Sequence, residues 1–187
     1  MNFQSLGLKP ELIRAVTEMG FESPMPIQEQ AIPVLLAGDT DFVGLAQTGT
    51  GKTGAYGLSL LQRIDPARRK PQVLLLCPTR ELCLQITNEL RQFGRYLIGF
   101  RVVAVYGGAS ITTQISEIRH GVQVVVATPG RLCDLMRRKT LDFTGVTVAV
   151  LDEADEMLNM GFQEDLDLIL DALPDTCLLY TSPSPRD

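Results

Sequence analysis

A chain of 187 residues with 45% hydrophobic and 21% charged side chains is long enough to bury one substantial core, and its composition excludes disordered and fibrous classes. Its 17 basic and 22 acidic residues give a formal charge of −5, which argues against a broad electrostatic grip on nucleic acid and confines any such contact to local patches. Met1-Asn2-Phe3-Gln4-Ser5-Leu6 lacks the basic start and apolar run of a secretory signal, and the longest apolar stretches are strand-sized, so one soluble, cytoplasmic domain with no membrane association is expected.

In chain order, Leu12, Val16 and Met19 share one helical face and Gly20 is placed to stop that helix. Beyond a proline-rich turn at Ser23-Pro24-Met25-Pro26, the spacing of Ile27, Ala31, Leu35 and Leu36 predicts a second helix, so residues 1–38 read as a helical prefix of the same domain. From Phe42 onward apolar runs at 42–46, 73–77, 102–106, 122–127, 146–151 and, more weakly, 177–180 alternate with segments of helical period. Several runs are apolar at nearly every position, as in strands buried on both faces. The pattern predicts an α/β domain over residues 39–176, a doubly wound, mostly parallel sheet with helices on both faces. The proline- and serine-rich end, 181–187, reads as disordered. Cys77, Cys83, Cys133 and Cys177 show no C-x-x-C pairing, and His120 is the only histidine, so no zinc is expected and the cysteines read as small buried hydrophobes.

Ala46-Gln47-Thr48-Gly49-Thr50-Gly51-Lys52-Thr53 lies between an apolar run and a helical segment that starts near Lys52, the context a phosphate-binding loop requires. Gly49 and Gly51 allow successive N–H groups to converge on phosphate oxygens at the positive end of a helix. Lys52 is expected to reach the β- and γ-phosphates of ATP, and the Thr53 hydroxyl to coordinate Mg²⁺. Ala46 stands where the usual pattern opens with glycine, a small departure that keeps the turn-forming residues.

The run 146–151 leads straight into Asp152-Glu153-Ala154-Asp155, which puts carboxylates at the carboxyl end of a buried strand, where α/β sheets bind ligands. Asp152 is the candidate for holding Mg²⁺, directly or through water, opposite Thr53. Glu153 is the candidate for polarising the water that attacks the γ-phosphate, and with Lys52 and Asp152 completes the catalytic set. Taken alone, such a cluster equally caps the next helix.

With A-Q-T-G-T-G-K-T and D-E-A-D both present, the sequence resembles the DEAD-box family of superfamily 2 RNA helicases from Phe3 to about Asp175. The resemblance implies a RecA-like phosphate-loop NTPase domain, the first of the two such domains that make the helicase core, with ATP, Mg²⁺ and single-stranded or duplex RNA as ligands. Gly20-Phe21-Glu22-Ser23-Pro24-Met25-Pro26-Ile27-Gln28 resembles the family's Q motif, in which the glutamine bonds the adenine edge and the aromatic stacks on it; Gln28 and Phe21 inherit those roles. Phe3 resembles the isolated upstream aromatic. A side-chain amide offers both donor and acceptor, the pairing that adenine N6 and N7 require.

Pro78-Thr79-Arg80-Glu81-Leu82, Gly107-Gly108 and Thr128-Pro129-Gly130-Arg131 each follow a predicted strand, and in the family these segments hold the RNA strand. They would offer glycine N–H groups, threonine hydroxyls and the Arg80 and Arg131 guanidiniums to sugar-phosphate oxygens, with little sequence preference. Cys83 takes the alanine position of P-T-R-E-L-A. Singly, each is an ordinary strand-to-helix turn.

Two features depart from the family. The third motif, Ser-Ala-Thr, is replaced by Thr181-Ser182-Pro183, and the second RecA-like domain, with its arginine finger, is absent from these 187 residues. The end from about Cys177 is therefore expected to be an atypical or non-native tail. By itself the chain is expected to bind nucleotide, hydrolyse it very slowly and not unwind RNA. A stand-alone binding module, or a different phosphate-loop ATPase or kinase, are the other readings that the loop leaves open.

Overall fold

The computed structural model describes residues 1–45, 49 and 51–183. A 3₁₀ turn at Gln4–Leu6 leads into α1 (Pro10–Glu18) and α2 (Pro26–Ala37), both of which start on a proline, whose fixed φ suits a first helical turn and whose missing N–H is no loss there. β1 (Phe42–Val43) follows, then α3 (Lys52–Arg63), β2 (Val73–Leu76), α4 (Arg80–Phe93), β3 (Val102–Val105), α5 (Ile111–Arg119), β4 (Val124–Ala127) and α6 (Pro129–Arg137). The chain then forms β5 (Val148–Asp152), α7 (Ala154–Asn159), α8 (Gln163–Asp171) and β6 (Leu178–Ser182).

The six strands form one sheet in the order β1-β6-β5-β2-β4-β3, with every pairing parallel. Alternation along a strand sends successive side chains to opposite faces. In β2, Val73 and Leu75 join a core under α1 to α4, while Leu74 and Leu76 join a second core under α5 to α8. That double burial is why the run is apolar throughout, and each Leu or Val fully withdrawn from water is worth about 1.5–3 kcal/mol. Cys77, Cys83 and Cys133 are buried free thiols, and Cys177 is half-buried. Among the described residues no helix is long and apolar enough to cross a membrane.

The strands differ from the apolar runs at their ends. β4 starts at Val124 rather than Val122, because the buried Gln123 closes the sheet's amino edge: its amide donates to Pro66 O and accepts from Arg101 N–H at 2.8 Å. β1 is two residues long and the chain hands on one more bond, Gly44 N–H to Thr181 O at 2.9 Å.

One expectation is corrected. The serine- and proline-rich end does not leave the sheet after Tyr180: β6 runs to Ser182, between β1 and β5, in register Val43↔Thr181 and Asp152↔Ser182. Composition misleads there because a threonine or serine keeps both backbone ladder groups, and the strand is anchored by Tyr180, 3% exposed, whose hydroxyl accepts from Arg63 Nη1 at 3.2 Å. Pro183, which has no N–H to donate, follows the last strand residue. The rest of the expected tail, 184–187, lies outside the described residues.

Candidate functional site

Because the strands are parallel, the loops after β1, β2, β3, β4 and β5 open on one edge of the sheet, the edge where such folds bind ligands. Ala46, Gln47, Thr48 and Thr50 of the expected phosphate loop lie outside the described residues. Gly49 and Gly51 both have positive φ, +77° and +87°. At Gly51 glycine is required twice over, since a Cβ would also come within 2.7 Å of Gln28 Nε2 and 2.8 Å of Met25 Sδ. Lys52 and Thr53 open α3, a helix N-terminus suited to anions. The Lys52 ammonium donates to Ser182 Oγ at 3.1 Å and Pro183 O at 3.3 Å, at the carboxyl end of β6.

Asp152 is the last residue of β5 and only 5% exposed. Tyr56, one helical turn beyond Thr53 on α3, donates its hydroxyl to Asp152 Oδ2 at 2.7 Å. The sequence reading missed this tyrosine, which ties α3 to the end of β5. Burial pushes the Asp152 carboxyl above its ordinary value, and the Tyr56 hydrogen bond and the Lys52 charge pull it partly back. Glu153 is raised as well, first by burial and then by the Asp152 charge beside it. Glu153 caps α7 with left-handed backbone, φ +53°, a conformation costly for a side-chain-bearing residue and frequent at functional sites. Ala154 and Asp155 lie in the first turn of α7, where an acidic residue favours the helix dipole.

Gln28 is buried, 7% exposed. Its Oε1 accepts from Met25 N–H at 3.0 Å and its Nε2 donates to Gly51 O at 3.2 Å, so it bridges the start of α2 to the expected phosphate loop. Among the described residues nothing else occupies the second N–H and the second lone pair of the amide. Phe21 is 41% exposed, whereas Phe3 is buried.

A cavity of about 370 Å³ unites these groups. Phe3, Phe21, Met25 and Gln28 line one side, Gly49, Gly51, Lys52 and Thr53 the floor, and Asp152 and Glu153 the end under β5. Leu82, Gln85, Glu89 and Phe93 of α4 close it, and of these only Leu82 belongs to a motif of the sequence. The set fits a magnesium nucleotide: an apolar and amide-lined end for a base, a helix N-terminus with a lysine for phosphates, and paired hard oxygen donors for a divalent cation.

The segments expected to hold RNA share the same edge. Pro78 and Thr79 follow β2, with Thr79 Oγ1 capping α4 by accepting from Leu82 N–H at 3.2 Å; Arg80 and Glu81 open the helix. Gly107 and Gly108 follow β3, while Thr128, Pro129, Gly130 and Arg131 carry the chain from β4 into α6. Thr128 N–H donates to Val105 O at 2.9 Å, which ties the ends of β3 and β4 together. The Arg80 guanidinium lies 5.1 Å from the Tyr106 ring centre, and Arg131 Nη1 donates to Ala109 O at 3.0 Å.

A family model described as DEAD/DEAH box helicase matches residues 25–186. The ATP-dependent RNA helicase DeaD of Klebsiella pneumoniae is 49% identical over 173 residues, 92% of this chain and 27% of the relative. Its namesake from Mycobacterium tuberculosis is also 49% identical, over 31% of its length. The chain therefore spans less than a third of these relatives. Among solved structures, a DEAD box protein from the hyperthermophile Methanococcus jannaschii superposes with a TM-score of 0.93 at 34% identity, covering 100% of this chain and 51% of that one. S. cerevisiae Dbp5 bound to RNA and ADP BeF3 superposes with a TM-score of 0.89 at 33% identity, covering 100% and 47%.

Proposed function

Since the chain belongs to the DEAD/DEAH box helicase family, we propose that it is the first RecA-like half of an ATP-dependent RNA helicase core, binding Mg²⁺·ATP in the cavity and the RNA backbone along the adjoining sheet edge. The observation that carries this reading is the cavity itself, which brings the Gln28 segment, the phosphate loop and the β5 carboxylates into one space. Among the described residues Gln28 has one donor and one acceptor left to read adenine, and the half-exposed Phe21 ring is available to stack on it. Lys52 swings from Ser182 to the phosphates, and the N–H groups at the start of α3 hold them. Thr53 and Asp152 would hold Mg²⁺, directly or through water, and the ion would supply charge neutralisation at the phosphates. Glu153, raised by burial and by Asp152, orients the attacking water and takes its proton.

Pro78, Thr79, Arg80, Glu81, Gly107, Gly108, Thr128, Pro129, Gly130 and Arg131 form the RNA track. The relatives that share this segment are longer, and a second RecA-like domain supplies the rest of the RNA cleft and an arginine finger, worth about 10³ to 10⁵ in turnover in phosphate-loop enzymes. Alone, the 187-residue chain binds nucleotide and turns it over slowly.

The test is a titration of the folded chain with Mg²⁺ and fluorescent ATP or GTP analogues, beside Lys52→Ala and Gln28→Ala checked by circular dichroism. Binding should prefer adenine, fall at least about tenfold without Lys52, and lose base preference without Gln28. A folded chain that binds neither nucleotide would overturn the reading.

A further inference from the structure

Arg80 and Arg131 stand on different loops, after β2 and after β4, yet both guanidiniums are held by the segment that follows β3. Arg80 lies over the Tyr106 ring, and its Nη1 is 3.6 Å from where a Gly108 Cβ would stand. Arg131 Nη1 donates to Ala109 O and to Gln114 Oε1, each at 3.0 Å. The other end of the same amide, Gln114 Nε2, donates to Tyr106 O at 3.1 Å.

Gln114 is 5% exposed, on the buried face of α5. A glutamine there forgoes the burial that a leucine would provide, and it is tolerable only with both amide ends satisfied. The Tyr106 carbonyl can only accept, so it fixes the NH₂ end and turns the oxygen to Arg131. Two acceptors occupy both N–H groups of Arg131 Nη1, and among the described residues nothing engages the Nε and Nη2 side, which forms a fork for a phosphate. Arg80 has no hydrogen-bond acceptor among the described residues; the ring holds it through cation–π attraction and consumes none of its five donors.

We propose that Tyr106 and Gln114 are positioning residues that hold Arg80 and Arg131 as one preorganised pair for the sugar-phosphate chain of RNA. The ligand rests on the function proposed above; the pairing rests on the contacts alone. Preorganisation matters because an arginine ordered only on contact gives up side-chain entropy at that moment.

The first measurement is motion of the arginine Nε–Hε groups by ¹⁵N NMR in the 187-residue chain. Arg80 and Arg131 should be more ordered than Arg69, which is exposed and has no ion-pair or hydrogen-bond partner among the described residues. Gln114→Met should free Arg131 alone, Tyr106→Leu should free Arg80, and Tyr106→Phe should retain the order of Arg80. Arg131 as mobile as Arg69 in the unsubstituted chain overturns the inference.

The second measurement is binding of a fluorescent oligouridylate at low salt. Gln114→Met and Arg131→Ala should each weaken it about tenfold, and the double substitution should be no weaker than Arg131→Ala, because the glutamine acts through the arginine. Additive losses, or a loss in Arg131→Ala with none in Gln114→Met, overturn the positioning role. Unchanged binding by both Arg80→Ala and Arg131→Ala overturns the RNA reading itself, and with it the ligand named here.

Discussion

Asp152 keeps a carboxylate where burial makes one costly, and the hydrogen bond from Tyr56 and the charge on Lys52 offset only part of that cost. With the folded value raised, the group favours folding while protonated. That contribution is whole below the unfolded value of about 3.9 and is lost as pH rises through the folded one. Asp152→Asn, which keeps an acceptor for Tyr56, should therefore melt above the unsubstituted chain at pH 7, with the gap closing toward pH ~4, and should lose Mg²⁺-dependent nucleotide affinity. Melting curves across pH, with and without Mg²⁺·ATP, check both halves; a lower midpoint for the asparagine at pH 7 would mean that the two partners outweigh burial. Tyr56→Phe should instead destabilise, by about 1.5–3 kcal/mol for a lost hydrogen bond to a charged group. Asp152 was legible in the sequence because an acidic string ends an apolar run. Tyr56 was not, because on a buried helix it reads as core, and only the tertiary fold shows which strand end lies beneath it. Gln28 was singled out by its motif, but its bridge to Gly51 was not legible.

Among the described residues two outside glycine carry left-handed backbone, and comparing them tests a structural against a proposed functional use of strain. Lys139, φ +55°, ends α6 in a Schellman turn, with Thr140 N–H to Leu135 O at 3.2 Å and Lys139 N–H to Met136 O at 3.0 Å. Glu153, φ +53°, opens α7 at the cavity. Glycine relieves the same strain at either place, so Lys139→Gly and Glu153→Gly should each gain about 1 kcal/mol in urea unfolding. ATP hydrolysis by a full-length relative carrying the equivalent changes should survive the first and be lost with the second. A loss of stability at Lys139 would show that its side chain contributes more than its backbone costs. The elements themselves were readable where the period was clean. Continuous apolar runs gave the buried strands, and the helical spacing of Leu12, Val16 and Met19 and of Ile27, Ala31 and Leu35 gave α1 and α2. Boundaries failed at Gln123, where a buried amide does the work that the pattern assigned to a strand.

At the scale of the whole molecule, the end of the chain matters because of where the sheet order puts it. β1 is an edge strand whose one neighbour in the sheet is β6, and the phosphate loop leaves directly from β1. β6 therefore anchors the entry to the loop from the far end of the sequence. Its Tyr180 packs edge-on against Phe42 with ring centres 6.3 Å apart, and its terminus receives Lys52. Sequence reading ends the domain near residue 176 because serine and proline signal a tail, and no local pattern reveals that a distant strand lacks a partner. If the tail were dispensable, a chain ending at 176 would fold and bind nucleotide as the 187-residue chain does. The pairing implies otherwise. Tyr180→Ala alone should cost about 3–5 kcal/mol by opening a cavity, set against a total stability on the order of 5–15 kcal/mol. Deletion of 177–187 removes the ladder as well, and should leave a chain that melts early and binds ATP analogues weakly even where the remaining sheet is still folded. Urea unfolding and nucleotide titration of both variants decide it: an undiminished affinity in the shorter chain would place the anchor of the phosphate loop in α2 and α3 rather than in β6.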